Sequence, residues 1–239
     1  MNKFAYPTLA AIAICALVPA HAENARRPYD LVQPKLREFI QTAGQAMAGG
    51  DYDKAIAYAD LVLVQNEIRY TVDYSQVLDS QAESAKAAIH DAVAIWNKAL
   101  DQEVRFVEVE PGQANVRIRF ETGVRSVGGE VAGYAVWQRQ VNDWGNGRYS
   151  LTLSGDIKVR TKAPSGRDMD QSALTHAAAH ELGHLLGLWD SPNLGDVMGP
   201  LYLKQPATSA SQLEAAALRG ARNEARSIAQ ASLLSKNGN

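Results

Sequence analysis

The chain has 239 residues, with 24 Lys+Arg against 26 Asp+Glu and a formal net charge of −2. That length suits one domain, or one domain with a small appendage. The even charge balance offers no footprint for nucleic acid or an anionic membrane surface. The single cysteine excludes an internal disulfide framework.

The chain opens with Met1, Asn2 and Lys3, runs apolar from Leu9 to Val18, and reaches Ala20, His21 and Ala22. A cationic start, a short apolar stretch and small residues at a cleavage point predict a signal peptide over residues 1–22. The apolar run is shorter than the ~20 residues a membrane-spanning helix needs. Cys15 lies inside this segment, and Ile14 before it is too large for a lipoprotein signal. Cleavage after Ala22 removes only Lys3 among the charged residues, leaving 23 basic and 26 acidic, a net charge near −3. The expected product is cysteine-free and exported, either secreted or periplasmic, with no membrane span.

Residues 30–66 read as a helical hairpin. Leu31, Leu36, Phe39, Ile40 and Met47 form a helical stripe, Gly49-Gly50-Asp51 breaks it, and Asp53 to Leu63 makes a second helix. The stretch GDYDKAIAYADLVL looks like half of a tetratricopeptide repeat, but no second copy is visible to build a solenoid core. The segment from 23 to 69 is therefore either a pro-segment or adaptor, or a helical pair packed on the rest of the chain. Residues 75–100 follow as an amphipathic helix, with Leu78, Ala82, Ala85, Ile89, Val93, Trp96 and Leu100 at three- and four-residue steps. His90 lies beside that stripe and is read as structural.

Val104 to Val109 and Val116 to Phe120 alternate apolar with polar and predict half-buried strands. A third strand is expected over Val131 to Trp137. Asn142 to Gly147 is a turn-rich loop. Tyr149 to Leu153 and Ile157 to Val159 are expected to form a hairpin around Ser154-Gly155-Asp156. Residues 171–186 predict a helix with Ser172 as its N-cap. A final helix runs from Ser211 to about Leu234, with Ser211 and Glu214 as a capping box. Helix, strands and helix in this order is an α+β arrangement.

The 171–186 helix carries His180-Glu181-Leu182-Gly183-His184. Two histidines four apart lie on one helix face, about 6 Å apart along the axis. They can share one metal ion, with Glu181 placed as general base toward a water. Gly187 can end the helix in a left-handed conformation, and the chain then offers Asp190. Asp190 is either a third ligand or a group behind the ligands, with Ser191 or a water nearby. His176, one turn before His180, is read as a partly buried polar residue at the helix start rather than as a ligand.

The run HELGHLLGLWDSPNLGDVMGP resembles the extended zinc motif and Met-turn of the metzincin metalloproteases, in the variant with Asp as third ligand. Pro200, where astacins and serralysins usually carry Tyr, favours the matrixin branch. The specific motifs cover Leu174 to Pro200, with weaker similarity back to about residue 70. The resemblance implies a metzincin-like zincin fold: a twisted mixed sheet, a long N-terminal helix, an active-site helix and a C-terminal helix, together spanning residues 70–239. It implies one catalytic Zn²⁺ on His180, His184 and Asp190, Glu181 as the base, and Met198 as the packed residue under the metal. It also implies an edge strand that pairs with a polypeptide substrate, for which Gly133-Tyr134-Ala135 is the candidate, and a pocket wall from Leu201-Tyr202-Leu203. Calcium sites occur in such proteins. Asp143 and Asp156 could serve one, although no loop pattern demands it.

The expected function is that of an exported zinc endopeptidase. The rival from another class is a non-catalytic adaptor that uses the N-terminal hairpin on a zincin scaffold. An intact Glu181 favours the enzyme. The sequence carries no signal for an oligomeric state.

Overall fold

The structure, a computed structural model, describes residues 27–63, 67–126 and 128–238. The expected signal peptide lies outside them. None of the described helices is long and apolar enough to cross a membrane.

The N-terminal hairpin forms as expected. Helix α1 (Pro34–Ala48) starts with proline at its first turn, where the missing N–H is no loss. Gly50, at φ +79°, turns the chain into α2 (Tyr52–Leu63). One strand escaped the sequence reading. β1 (Glu67–Asp73) alternates Ile68, Tyr70 and Val72 with polar residues, and its parallel pairing makes it a central strand. It begins at Glu67, before the expected start of the catalytic region at residue 70.

Because β1 continues through Asp73, the next helix starts later than its periodicity suggested. A short 3-10 turn (Asp79–Gln81) leads into α3 (Ala82–Ala99), and Leu78 is left outside it, 51% exposed. Strands β2 (Arg105–Glu108) and β3 (Val116–Glu121) flank β1 in parallel. A small antiparallel ribbon of β4 (Val124–Ser126) and β5 (Gly129–Val131) follows. Then come β6 (Gly133–Asp143) and β7 (Tyr149–Arg160).

The main sheet has the order β2-β1-β3-β7-β6, parallel except for β6, which runs antiparallel to β7 along the edge. The expected hairpin within residues 149–159 is wrong, because β7 is one continuous strand. Gly155 sits inside it, paired with Trp137 on one side and Val116 on the other. A Cβ there would meet Leu185 Cδ1 at 2.9 Å, so this glycine allows a helix to approach the strand rather than turning the chain. The true turn lies between Asp143 and Tyr149, with Gly145, Asn146 and Gly147 at positive φ.

Ile68, Phe106, Ile118, Phe120, Ile157 and Val159 are buried on the sheet, beneath α3 and α4 (Gln171–Leu186). Trp96 on α3 is fully buried and donates its indole N–H to Ala179 O on α4 at 2.7 Å. The last helix, α5 (Gln212–Gly238), packs along the hairpin and against α2 most extensively. This mixed α/β arrangement, with five α-helices and a mostly parallel five-stranded sheet among the described residues, is the expected zincin-type fold.

Candidate metal centre

Helix α4 is built from strong helix formers, Ala173, Leu174, Ala177 to Ala179, Leu182, Leu185 and Leu186, nearly all buried. Full burial of a leucine is worth roughly 1.5–3 kcal/mol, so Leu182 and Leu185 hold the helix firmly on the sheet. Its N-cap is Asp170, which accepts from Ala173 N at 2.9 Å. Ser172 was the expected cap, but it lies inside the first turn and faces solvent. At the other end Gly187 takes φ +108°, and its amide closes on the carbonyls of Gly183 and His184. That reversal carries the chain back to Asp190.

His180, His184 and Asp190 come together, with one ligand atom from each all within 4.8 Å of one another. Asp190 Oδ1 lies 3.2 Å from His180 Nε2 and 3.4 Å from His184 Nε2. The opposite ring atoms are already engaged: His180 Nδ1 with Val197 O at 3.0 Å, and His184 Nδ1 with Leu188 O at 2.9 Å. A carbonyl only accepts, so each Nδ1 carries a proton; each Nε2 then faces the shared point, as a lone pair in the neutral ring and as a donor to Asp190 in the charged one. Two imidazoles and a carboxylate, with room for further ligands, form the donor set that suits zinc. The two histidines, through their hydrogen bonds, hold the Asp190 carboxyl far below the usual carboxylate range. Burial disfavours a charged His184, but Asp190 and the Leu188 carbonyl outweigh it and raise its pKa.

Glu181, one residue on from His180, is buried at 4% exposure. Burial raises its pKa, Asp190 adds to that, and the two histidines oppose it. Gly133 of β6 presses on this side chain: a Cβ there would lie 2.6 Å from Glu181 Oε1 and 2.9 Å from Cδ. The carboxyl therefore has little freedom to swing toward the strand.

The floor is made by the turn after Asp190. Met198 is fully buried and its thioether packs against Gly183, as a hydrophobic base rather than a ligand. Ser191 is buried and donates to Asp196 at 2.5 Å, so it is engaged away from the ligand cluster. Ser191 N also donates to Met198 O at 2.8 Å, closing the turn. His176 is 1% exposed, more deeply buried than the sequence suggested. Its Nδ1 accepts from Ala207 N at 2.9 Å and its Nε2 donates to Gly199 O at 3.3 Å, leaving no lone pair for a metal. His90 is exposed beside Asp91 and is not part of the cluster of ligand atoms.

A cleft of about 380 Å³ opens above these groups, bounded by Gly133, Tyr134 and Ala135 of β6 on one side and Pro200 and Leu201 on the other. Leu201 thus lines it, whereas Tyr202 and Leu203 are 46% and 43% exposed and stand outside its lining. Asp143 and Asp156 do not form a joint calcium site. The strand register places them about seven residues apart, roughly 23 Å along the sheet, and Asp156 is paired with Arg119 at 2.7 Å.

The Matrixin family model matches residues 63–222, more than half of the chain. The chain belongs to the matrixin family. Stromelysin-2 of Rattus norvegicus is 30% identical over 138 residues, which is 58% of this chain and 27% of that protein. The match thus spans about a quarter of that relative's length.

This matrixin also recruits residues that sequence reasoning missed. Glu214 was read only as a helix cap, but it also binds the amide of Met198 at 2.6 Å. Arg139 of β6 is buried and donates to Leu61 O and Leu185 O, both at 2.7 Å. Gln33, ahead of α1, donates to Leu188 O at 2.8 Å. None of these contacts is part of a local motif. Glu214 reaches 16 positions back to Met198, and Arg139 and Gln33 bridge 46 to 155 positions.

Proposed function

We propose that this matrixin is an exported zinc-dependent endopeptidase. The observation that carries the reading is the convergence of His180 Nε2, His184 Nε2 and Asp190 Oδ1 beside the buried Glu181, at the floor of an open cleft. His180, His184 and Asp190 would hold the ion. When bound, zinc supplies Lewis acidity, which acidifies a water and polarises the scissile carbonyl.

The chain's own groups do the rest. Glu181 Oε1 and Oε2 receive the proton released in the attack and return it to the leaving amine. Its burial makes the carboxylate more basic, which favours that first transfer. Val197 O and Leu188 O hold the imidazoles in one tautomer and one orientation. The substrate is a polypeptide in extended form. β6 is the edge strand on the cleft side, with no further strand paired to it among the described residues, and an antiparallel or parallel peptide strand can add to it over Gly133 to Ala135.

The rival adaptor reading needs a free face on the hairpin. Leu36, Phe39, Ile40, Ala55, Ala59 and Leu61 are buried within the molecule, which weighs against that role. Export rests on the expected signal peptide over residues 1–22.

The test is hydrolysis of a quenched peptide or casein by the purified chain, with zinc quantified in the same sample. Glu181→Ala should retain about one zinc and lose about 10²–10⁴-fold in rate. Asp190→Ala should bind zinc more weakly, and a chelator should abolish activity. A parent chain that binds no zinc, or a Glu181→Ala variant that cleaves as fast as the parent, would refute the proposal.

A further inference from the structure

We infer that the N-terminal hairpin is a permanent support of the metal centre rather than a removable pro-segment, with Gln33 as a positioning residue for His184 and the turn that carries Asp190. This rests on the metalloprotease reading above.

The segment ahead of α1 pairs with the short stretch between His184 and Asp190. Val32 and Leu188 form an antiparallel bridge. Trp189 N donates to Leu31 O at 2.7 Å, and Gln33 N donates to Gly187 O at 2.8 Å. Leu36 packs over Gly187, filling the space that a side chain there would need. Gly187, Leu188 and Trp189 are thus all engaged by residues 31–36.

Gln33 adds a buried side-chain clamp. It is 6% exposed, and its Nε2 donates to Leu188 O at 2.8 Å and to His184 O at 3.2 Å. Leu188 O is the same atom that accepts from His184 Nδ1. One carbonyl with two lone pairs therefore receives both Gln33 and the histidine ring. Gln33 fixes that carbonyl, and the carbonyl fixes the ring, so the direction of His184 Nε2 depends on the N-terminal segment.

A cleft-blocking pro-segment would lie across the mouth of the site. Among the described residues, those lining the cleft run from Ser126 to Leu201 and none comes from the hairpin, which sits behind the metal loop. Its far end is braced as well. The buried guanidinium of Arg139 bonds Leu61 O near the end of α2 and Leu185 O near the end of α4. Carbonyls at the C-terminal ends of two helices carry partial negative charge, so one cation ties the hairpin to the metal-bearing helix. Arg222 of α5 makes a further bond to Leu63 O.

The experiment uses the full chain with zinc itself as the probe, in competition with a chromophoric chelator. Gln33→Met keeps the volume and loses both donors; Gln33→Glu keeps the shape and can only accept. Circular dichroism selects folded samples. Phe39→Leu, in the buried core of α1, serves as the control for general loosening of the hairpin. Either Gln33 variant should raise the zinc Kd by about tenfold or more and change the visible spectrum of the Co²⁺-substituted protein. Phe39→Leu should lower the unfolding temperature and leave the zinc Kd unchanged. The mass of the species captured on an immobilised hydroxamate should correspond to a chain that still includes Leu31 to Gln33.

Gln33 variants that bind zinc within about twofold of the parent would overturn the positioning role alone. A captured species that begins after Leu63 would overturn the permanence of the hairpin. A parent that binds no zinc would bring down this inference together with the proposed function.

Discussion

The backbone amide of Met198 donates to the side chain of Glu214 at 2.6 Å, and the other oxygen of that carboxyl accepts from Ser211 N at 2.6 Å. Glu214 is fully buried. One side chain thus caps α5 and pins the turn beneath the histidines. Glu214→Gln would set an NH₂ group against a backbone N–H that has no other acceptor. Hydrogen bonds to charged groups contribute about 1.5–3 kcal/mol, so the variant should lose about that much in urea unfolding. A change below about 0.5 kcal/mol would show that the contact is not maintained in solution.

Gly133 and Glu181 are in close contact, and a methyl group at position 133 would overlap the carboxyl. Glu181 is buried and cannot rotate freely away. Gly133→Ala should lower kcat at least tenfold, since displacement of a reacting group by about 1 Å can cost 10²-fold. Zinc content should be unchanged, because no ligand is touched. Single-turnover hydrolysis with parallel metal analysis makes the comparison. Unaltered kcat would mean that the cleft relaxes without moving the carboxyl.

Burial lowers the pKa of His176, with His180 adding to the effect and the bond to Gly199 O opposing it. The folded chain therefore favours the neutral ring. The stabilisation from this group is fully present above the unfolded histidine value of about 6.5 and is lost as pH falls from there through the folded pKa. His176→Gln retains a donor and an acceptor but does not titrate. In chelator-treated samples unfolded at about pH 7.5 and about pH 5.5, the parent should lose more stability on acidification than the variant does. The difference between the two chains cancels contributions from His180 and His184 to first order. Equal losses would mean that His176 is not held neutral.

Much of the metal helix could be read from local pattern. The i, i+4 histidines, the glutamate between them and the glycine that ends the helix are all consequences of helical periodicity and of one left-handed residue, and each stands where expected. The helical hairpin and the capping box at Ser211 and Glu214 are local in the same way. Misreadings arose where a local signal had a nonlocal cause. Gly155 looks like a turn residue, yet it is a point of contact with Leu185 inside a long strand. Ser172 is a good cap residue, but Asp170 comes first and is better aligned. β1 was missed because its alternation is brief and lies between two stronger helical patterns.

The sequence by itself determined which residues the proposed chemistry uses, since the spacing of His180, Glu181, His184, Gly187 and Asp190 follows from the geometry of one helix and the turn after it. Only the tertiary structure decided what holds those groups in place. Gln33 behind Leu188, Glu214 beneath Met198, Gly133 against Glu181 and Arg139 between α2 and α4 are contacts between segments distant along the chain. Buried polar groups must find partners wherever the packed fold supplies them. No local pattern encodes those partners, because they become neighbours only when the sheet, the hairpin and the last helix close around α4.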